Sequence, residues 1–329
     1  MLQYILRRVM YLIPTLIAIS IVSFVIIQLP PGDYLTTHIA SLAQSGMQLQ
    51  QHEIDMLKRE YGLDQPMHMQ YLRWLWKALH GNFGLSLEYR LPVSDLIWER
   101  LWLTVILSLT TILFNWALAI PIGIYSATHQ YTPLDYLFTF VGFVGLGTPN
   151  FLLALILMWI AYSSFGFSVG GLFSPSFEEA PWSLAKVVDL IKHLWIPIFI
   201  LGLSGTAGLI RTMRAQMLDE LRKPYVVTAR AKGLTESKAI WKYPVRVALN
   251  PFVSTVGWAL PQLVSGSTIV SVVLSLPTAG PLLLRALQNQ DMYLAGSFLM
   301  LLSILTVIGT LISDVLLAVL DPRIRFERK

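Results

Sequence analysis

Six long stretches without charged side chains decide what this chain can fold into. A bilayer core about 30 Å thick is crossed by roughly 20 apolar helical residues. Residues 9–29, 101–127, 136–165, 194–210, 252–276 and 295–320 meet that requirement; the fourth stops at Arg211, and the last holds a single charge, Asp314. Residues 136–165 are broken by Gly142, Gly145, Gly147 and Pro149, and 252–276 contain Gly257, Pro261 and Gly266. The expected fold class is an all-α membrane protein with six transmembrane helices. Of the 329 residues 55% are hydrophobic and 13% charged, against about 25% charged in a soluble domain, which excludes a soluble globular protein and a disordered one. Without cysteine, disulfides, iron–sulfur clusters and thiol catalysis are excluded as well.

Arg7 and Arg8 ahead of the first run resemble a secretory signal, but the run is too long for a signal core and ends in Gln-Leu-Pro-Pro-Gly-Asp, so an uncleaved span is expected. Basic residues set orientation. Fifteen of the 24 Lys and Arg lie in three short segments: Arg7 and Arg8, the loop 211–246, and the tail after residue 320. Both termini and that loop are therefore expected in the cytoplasm. The short loop at 129–134 should share that side, yet it has no Lys or Arg.

Residues 30–100 form the large segment outside the membrane. Ile54, Leu57 and Tyr61 share a helical face, with Gly62 as a stop. A second helix is expected to be capped by Asp64, with Pro66 in its first turn and Tyr71, Leu72, Leu75, Ala78 and Leu79 on one face. Trp74 and Trp76 suit a headgroup zone. Such a segment lies on the membrane or the bundle, or docks an external partner.

No G-x-x-x-x-G-K-[ST] occurs, so the chain has no P-loop and an ATP-driven action must draw on another subunit. The six histidines all fall outside the centres of the runs, which argues against a buried metal or proton relay. Gly202-Leu203-Ser204-Gly205 imitates the G-x-S-G of rhomboid-type intramembrane serine proteases, but a serine nucleophile needs a base in reach; close helix packing by small residues explains it better. Asp314 is either functional or a shallow cap or ion-pair partner. Asp135, after Pro133, is expected to cap the third span.

The loop 211–246 is the most informative stretch. Pro224 ends one helix, a helical pattern runs from Tyr225, Gly233 stops it, and Thr235 can cap a second helix over 237–245. A short helix, a glycine turn and a short helix make a protruding knob, with Thr228, Ala229 and Ala231 small enough for a partner to approach.

Thr228-Ala-Arg-Ala-Lys-Gly-Leu234 resembles the cytoplasmic coupling loop of bacterial ABC importer permeases of the oligopeptide/dipeptide/nickel branch. So do the start, Met1 to Arg8; Pro31-Gly-Asp33, with Tyr34 where the branch usually has proline; Tyr61 to Pro66 with His80 to Ser86; Ile120-Pro-Ile-Gly-Ile124; Pro277; and Leu320 to Arg325. The similarity runs along nearly the whole chain in order. It departs at Val227-Thr228-Ala229, at Tyr243 to Arg246 and at Pro277 to Gly280. It implies a type I importer transmembrane domain: an N-terminal span and external segment over 1–97, a five-helix core over 98–320 with its coupling loop at about 214–250, and a cytoplasmic tail over 321–329. It also implies a second, similar permease, two P-loop ATPases carrying ATP and Mg, and an external solute-binding protein. This chain would bind no cofactor, metal or nucleic acid and would perform no chemistry. Thr228, Ala229, Arg230, Ala231, Lys232, Gly233 and Leu234 would form the ATPase contact, and the spans would rock between inward-open and outward-open states.

Helices broken by Gly and Pro often line cavities. Thr148, Asn150, Gln262 and Ser265 are the candidate path residues, with plain bundle packing as the alternative. Peptides are the expected solutes; oligosaccharides, opine-like compounds and nickel are alternatives within the same class, and a membrane protease at Ser204 or a channel are alternatives outside it.

Overall fold

A computed structural model describes residues 2–28, 35, 39, 50–60, 64–166 and 170–320. The motif at 31–33, Tyr61, Gly62 and the tail 321–329 lie outside the described residues. Within them thirteen helices occur, and no strand beyond one isolated bridge between Leu85 and Pro92. The chain divides into two compact units, one of residues 1–104 with 278–307, the other of 105–277 with 308–329.

In the first unit, α1 (Leu2–Gln28) covers the first apolar run and contains Pro14. Two shorter helices follow, α2 (Gln51–Glu60) and α3 (Met67–Leu79). Pro66 occupies the cap position of α3, with no side-chain cap. Asp64 is thus not the cap; its carboxylate accepts from Gln65 instead. Trp74 is buried, and its indole N–H donates to Ser297 at 3.3 Å, so it is a packing residue and not a headgroup anchor, while Trp76 is exposed. The reason is spacing: Trp74 and Ala78 share one face, and Trp76 lies opposite.

Asp291 ties two distant stretches of this unit together. It precedes the last helix, and its carboxylate accepts from the N–H of Leu294, an N-cap bond, and from the Ser86 hydroxyl at 2.5 Å and the Glu88 N–H at 3.2 Å. Fully buried, it is pushed above the ordinary carboxylate range by loss of solvent, against which these bonds work.

The second unit contains most of the long helices. α4 (Val93–Thr128), which enters it from the first, and α7 (Leu184–Leu221) are long and apolar enough to cross a bilayer. So is α13 (Met292–Leu320), which follows the short α12 (Ala279–Gln288) of the first unit; its residues up to 307 belong to the first unit and the rest to the second. At 1.5 Å per residue, α7 is about 57 Å long, well beyond the hydrocarbon core, so it carries the fourth run past Arg211. Apolar stretches Ile13–Ile26 and Val264–Val273 lie within α1 and α11 (Asn250–Val273).

The third run is not one straight span. It forms α5 (Pro133–Gly147) and α6 (Asn150–Phe165), bent by 100° at the break. Pro149 crowds the residue before it out of the α region, and Thr148 accordingly sits at φ −95°, ψ 119°. Asp135 is not the cap of α5 either. Thr132 holds that position and accepts from the Asp135 N–H. The Asp135 carboxylate, buried, binds the Tyr131 N–H and pairs with Arg214 of α7 at 3.1 Å.

α4 and α7 pack closely because Gly123 lacks a side chain. A Cβ there would stand 2.5 Å from the Met213 Cβ. The glycine of Ile120-Pro-Ile-Gly-Ile124 is therefore a contact point between two long helices.

Candidate functional site

Between α7 and α11 the chain makes three short helices: α8 (Pro224–Ala231), α9 (Glu236–Lys242) and α10 (Pro244–Ala248). Pro224 begins α8 at a position where its missing N–H costs nothing. Gly233, at φ +81°, ends it. The Gly233 N–H returns to Arg230 O at 2.9 Å and the Leu234 N–H to Ala229 O at 3.3 Å, a two-bond closure that requires the left-handed residue. Thr235 then caps α9 by position, without a side-chain bond. Across the turn Arg230 binds Glu236 through two nitrogens, at 2.6 and 3.0 Å. That guanidinium holds the Glu236 carboxyl below its ordinary range.

The second knob helix stops at Lys242 and does not reach Val245. Tyr243 precedes Pro244, which starts a helix of its own. The break has a use. Val245 and Ala248 of α10 are buried with Ala119, Ile124 and Ala127 of α4, Met213 and Met217 of α7, and Phe252 of α11. The knob is thus seated in a single apolar cluster with three long helices.

Of the seven residues singled out in the knob, Thr228, Arg230, Ala231, Lys232 and Gly233 are exposed, Leu234 is half-buried, and Ala229 faces inward with Val226 and Ala239. A side chain at Gly233 would meet nothing within 4 Å, so the tip is free of the rest of the chain.

A cavity of about 360 Å³ lies among α4, α6, α7 and α11. Asn150 and Gln262 line it. Thr148 is half-buried at the α5–α6 break, and Ser265 is exposed on α11; neither is among the lining residues. Sequence reading missed Asn115, Thr255 and Ser267 and weighed Ser204 only for packing or protease chemistry; these four supply other polar groups of the lining. A lone Asn inside an uncharged apolar run was the available signal for the first. With its carboxamide nitrogen turned towards them, Asn115 donates to Gly202 O at 3.0 Å, Thr206 Oγ1 at 3.1 Å and Thr111 O at 3.3 Å. A Cβ at Gly202 would fall 2.6 Å from Phe114 and one at Gly205 2.6 Å from Asn115. The small residues around Ser204 therefore admit a neighbouring helix. Among the described residues the lining includes no charged residue and no histidine, while the His193 ring, about three turns away on α7, bonds to Asp189 O. The described lining offers amide and hydroxyl groups to a polar group and gives Ser204 no base. Asp314, half-buried on α13, is not among the lining residues.

Residues 119–326, which contain the knob, match the family described as the binding-protein-dependent transport system inner membrane component. The chain belongs to this family. Residues 1–110 match the N-terminal family of the same membrane components. Among curated proteins it is similar to the oligopeptide transport system permease protein AppB of Bacillus subtilis (strain 168), 35% identical over 99% of this chain and 100% of that protein. It is similar to a putative peptide permease protein of Brucella suis biovar 1 (strain 1330), at 32% over 99% of each. It also resembles the dipeptide transport system permease protein DppB of Escherichia coli (strain K12), at 29% over the full length of both. The chain is thus an all-helical, multi-pass inner-membrane permease of an ABC importer, a transporter subunit and not an enzyme. Hydrolysis belongs to separate ATPase subunits, and delivery of solute to a binding protein.

Proposed function

We propose that this permease forms one half of a peptide translocation path and is driven through the knob at 224–248. Six spans place both termini and the knob in the cytoplasm, the knob docks on a P-loop ATPase loaded with ATP and Mg, and a second permease completes the path. The observation that carries this reading is the shared cluster of α10 with α4, α7 and α11. A displacement of the knob cannot occur without displacing the helices that wall the cavity, because packed interiors transmit strain. The peptide assignment rests on the relatives' names and on a cavity lined by amides and hydroxyls without a fixed charge.

The test is the complex with its neighbouring permease and ATPases in nanodiscs, reading ATPase activity stimulated by the binding protein and peptide. Gly233→Trp adds bulk at the free tip together with backbone strain at φ +81°, Gly233→Ala shares the strain without the bulk, and Gly233→Asn tolerates the same backbone. The tryptophan variant is expected to lose ATPase binding and the asparagine variant to keep it. Full stimulation of Gly233→Trp would refute the docking assignment. Single cysteines at Thr148, Asn150, Gln262 and Ser265 are expected to react with a small water-soluble thiol reagent, at rates that change when ATP binds; uniform protection in both states removes a residue from the path.

A further inference from the structure

We propose that the groove between α5 and α7 at the level of Arg211 binds the headgroup of an anionic phospholipid. This second, smaller pocket is walled by Phe143 and Leu146 of α5, floored where Gly142 meets Ala207, and rimmed by Ser126, Arg211 and Arg214. Its charge is unbalanced. Asp135 pairs with Arg214, but Arg211 is exposed and makes no hydrogen bond or ion pair among the described residues. The Arg214 Nε is buried without a partner, as are the Ser126 hydroxyl and the Asp135 Oδ1, so the rim holds two unused donors beside one unused carboxylate oxygen and keeps one net positive charge. The walls are of the opposite character: Phe143 and Leu146 of α5 line the groove and are exposed, and the same helix continues the apolar surface outside it with Phe140, Val141 and Val144.

Arg211 is also where the apolar part of α7 ends, so the donors stand at headgroup depth and the apolar wall runs into the hydrocarbon. A phosphodiester matches guanidinium donors in charge and geometry, and an acyl chain matches the wall. Free phosphate would use the first feature and leave the second uncovered. Basic pockets between membrane helices hold anionic headgroups by this division of labour.

The inference does not depend on the solute or on the knob, and its test separates it from them. Native mass spectrometry of the detergent-solubilised complex, titrated with phosphatidylglycerol, reads lipid retention directly. Phosphatidylcholine is the neutral arm and inorganic phosphate the free-anion arm. Phosphatidylglycerol is expected to be retained in preference to phosphatidylcholine. Arg211→Gln should weaken that preference by about fivefold, Arg211→Lys should keep most of it, and Arg211→Glu should abolish it. Arg246→Gln, at an exposed cation on the knob, should leave lipid retention unchanged. Because the Arg211 side chain makes no hydrogen bond or ion pair among the described residues, each variant should unfold at the wild-type temperature. Equal retention of both lipids, an equal loss in Arg211→Gln and Arg246→Gln, or displacement of the lipid by inorganic phosphate would each overturn the proposal.

Discussion

The knob and the cavity are built in opposite ways within the same unit. The knob is a run of 25 consecutive residues, closed by local bonds: a proline start, a glycine turn at φ +81° and an ion pair between Arg230 and Glu236. The cavity draws single residues from four helices between positions 112 and 267. One is a shape that the local chain specifies and the bundle merely anchors. The other exists only where long helices happen to leave space. On the proposed reading both are needed, since a knob that docks a partner must be stiff and repeatable, while a cavity that passes solute must change shape.

The contrast can be broken most sharply at the glycines of α7. Gly202→Leu should cost roughly 3 kcal/mol or more by overpacking against Phe114 and Asn115, read as loss of monodisperse protein on heating in detergent. Gly208→Ala is its control: the cavity wall there has nothing within 4 Å of a new Cβ, and helix propensity favours alanine by about 1 kcal/mol. It should melt no lower than wild type, and a large drop would mean that the cavity is closed where it is described as open. Next in size is Val245→Ala, which removes two buried methyl groups at the base of the knob and should cost about 2 kcal/mol. Peptide uptake per ATP should fall further than ATPase activity, and proportional losses in both would show that the shared cluster does not couple them. Gly233→Ala should cost about 1 kcal/mol through its backbone alone, with ATPase docking retained, because the new methyl group meets nothing in this chain.

The smallest effect belongs to Glu236→Gln. The pair it breaks is largely exposed, so it contributes well under ~1 kcal/mol. Its sign with pH is still defined. The folded Glu236 carboxyl lies below its ordinary value because Arg230 binds it, so the contribution is present above the ordinary glutamate range, about pH 4.3, and disappears as pH falls through the folded value. Acidification should therefore loosen the knob in wild type and leave Glu236→Gln unchanged, as read by amide exchange over 228–240. An equal loosening of both would remove the ion pair from the account.

Much of the knob was legible from residue types. Pro224, Gly233 and Thr235 punctuate short helices by rules that act over a few residues. What failed there failed for the same reason, one residue further along: Pro244 excludes Tyr243 from helical continuation, which cut the second helix short. Capping was misread at Asp64 and Asp135, where a short acidic residue near a proline looks like a cap, but Pro66, two residues after the first, and Thr132, three before the second, occupy the position. The cavity was half visible. Asn150 and Gln262 are polar interruptions in apolar runs, and so are Thr148 and Ser265, yet only the first two line it. Which side of a helix faces its neighbours does not follow from polarity when nearly every other residue is apolar all round.

The sequence by itself determined the solvent and the elements. Long uncharged runs must be helical in lipid, where every backbone polar group needs an internal partner, and local turn chemistry must interrupt them where proline and glycine stand. Tertiary structure alone decided the 100° bend becoming part of a cavity wall, the pairing of Asp135 with Arg214, the use of Gly123 and Gly202 as contact points, and the seating of α10 among α4, α7 and α11. Each of these joins residues far apart in the chain. In helices that are apolar on every face, only the packing itself selects which faces meet.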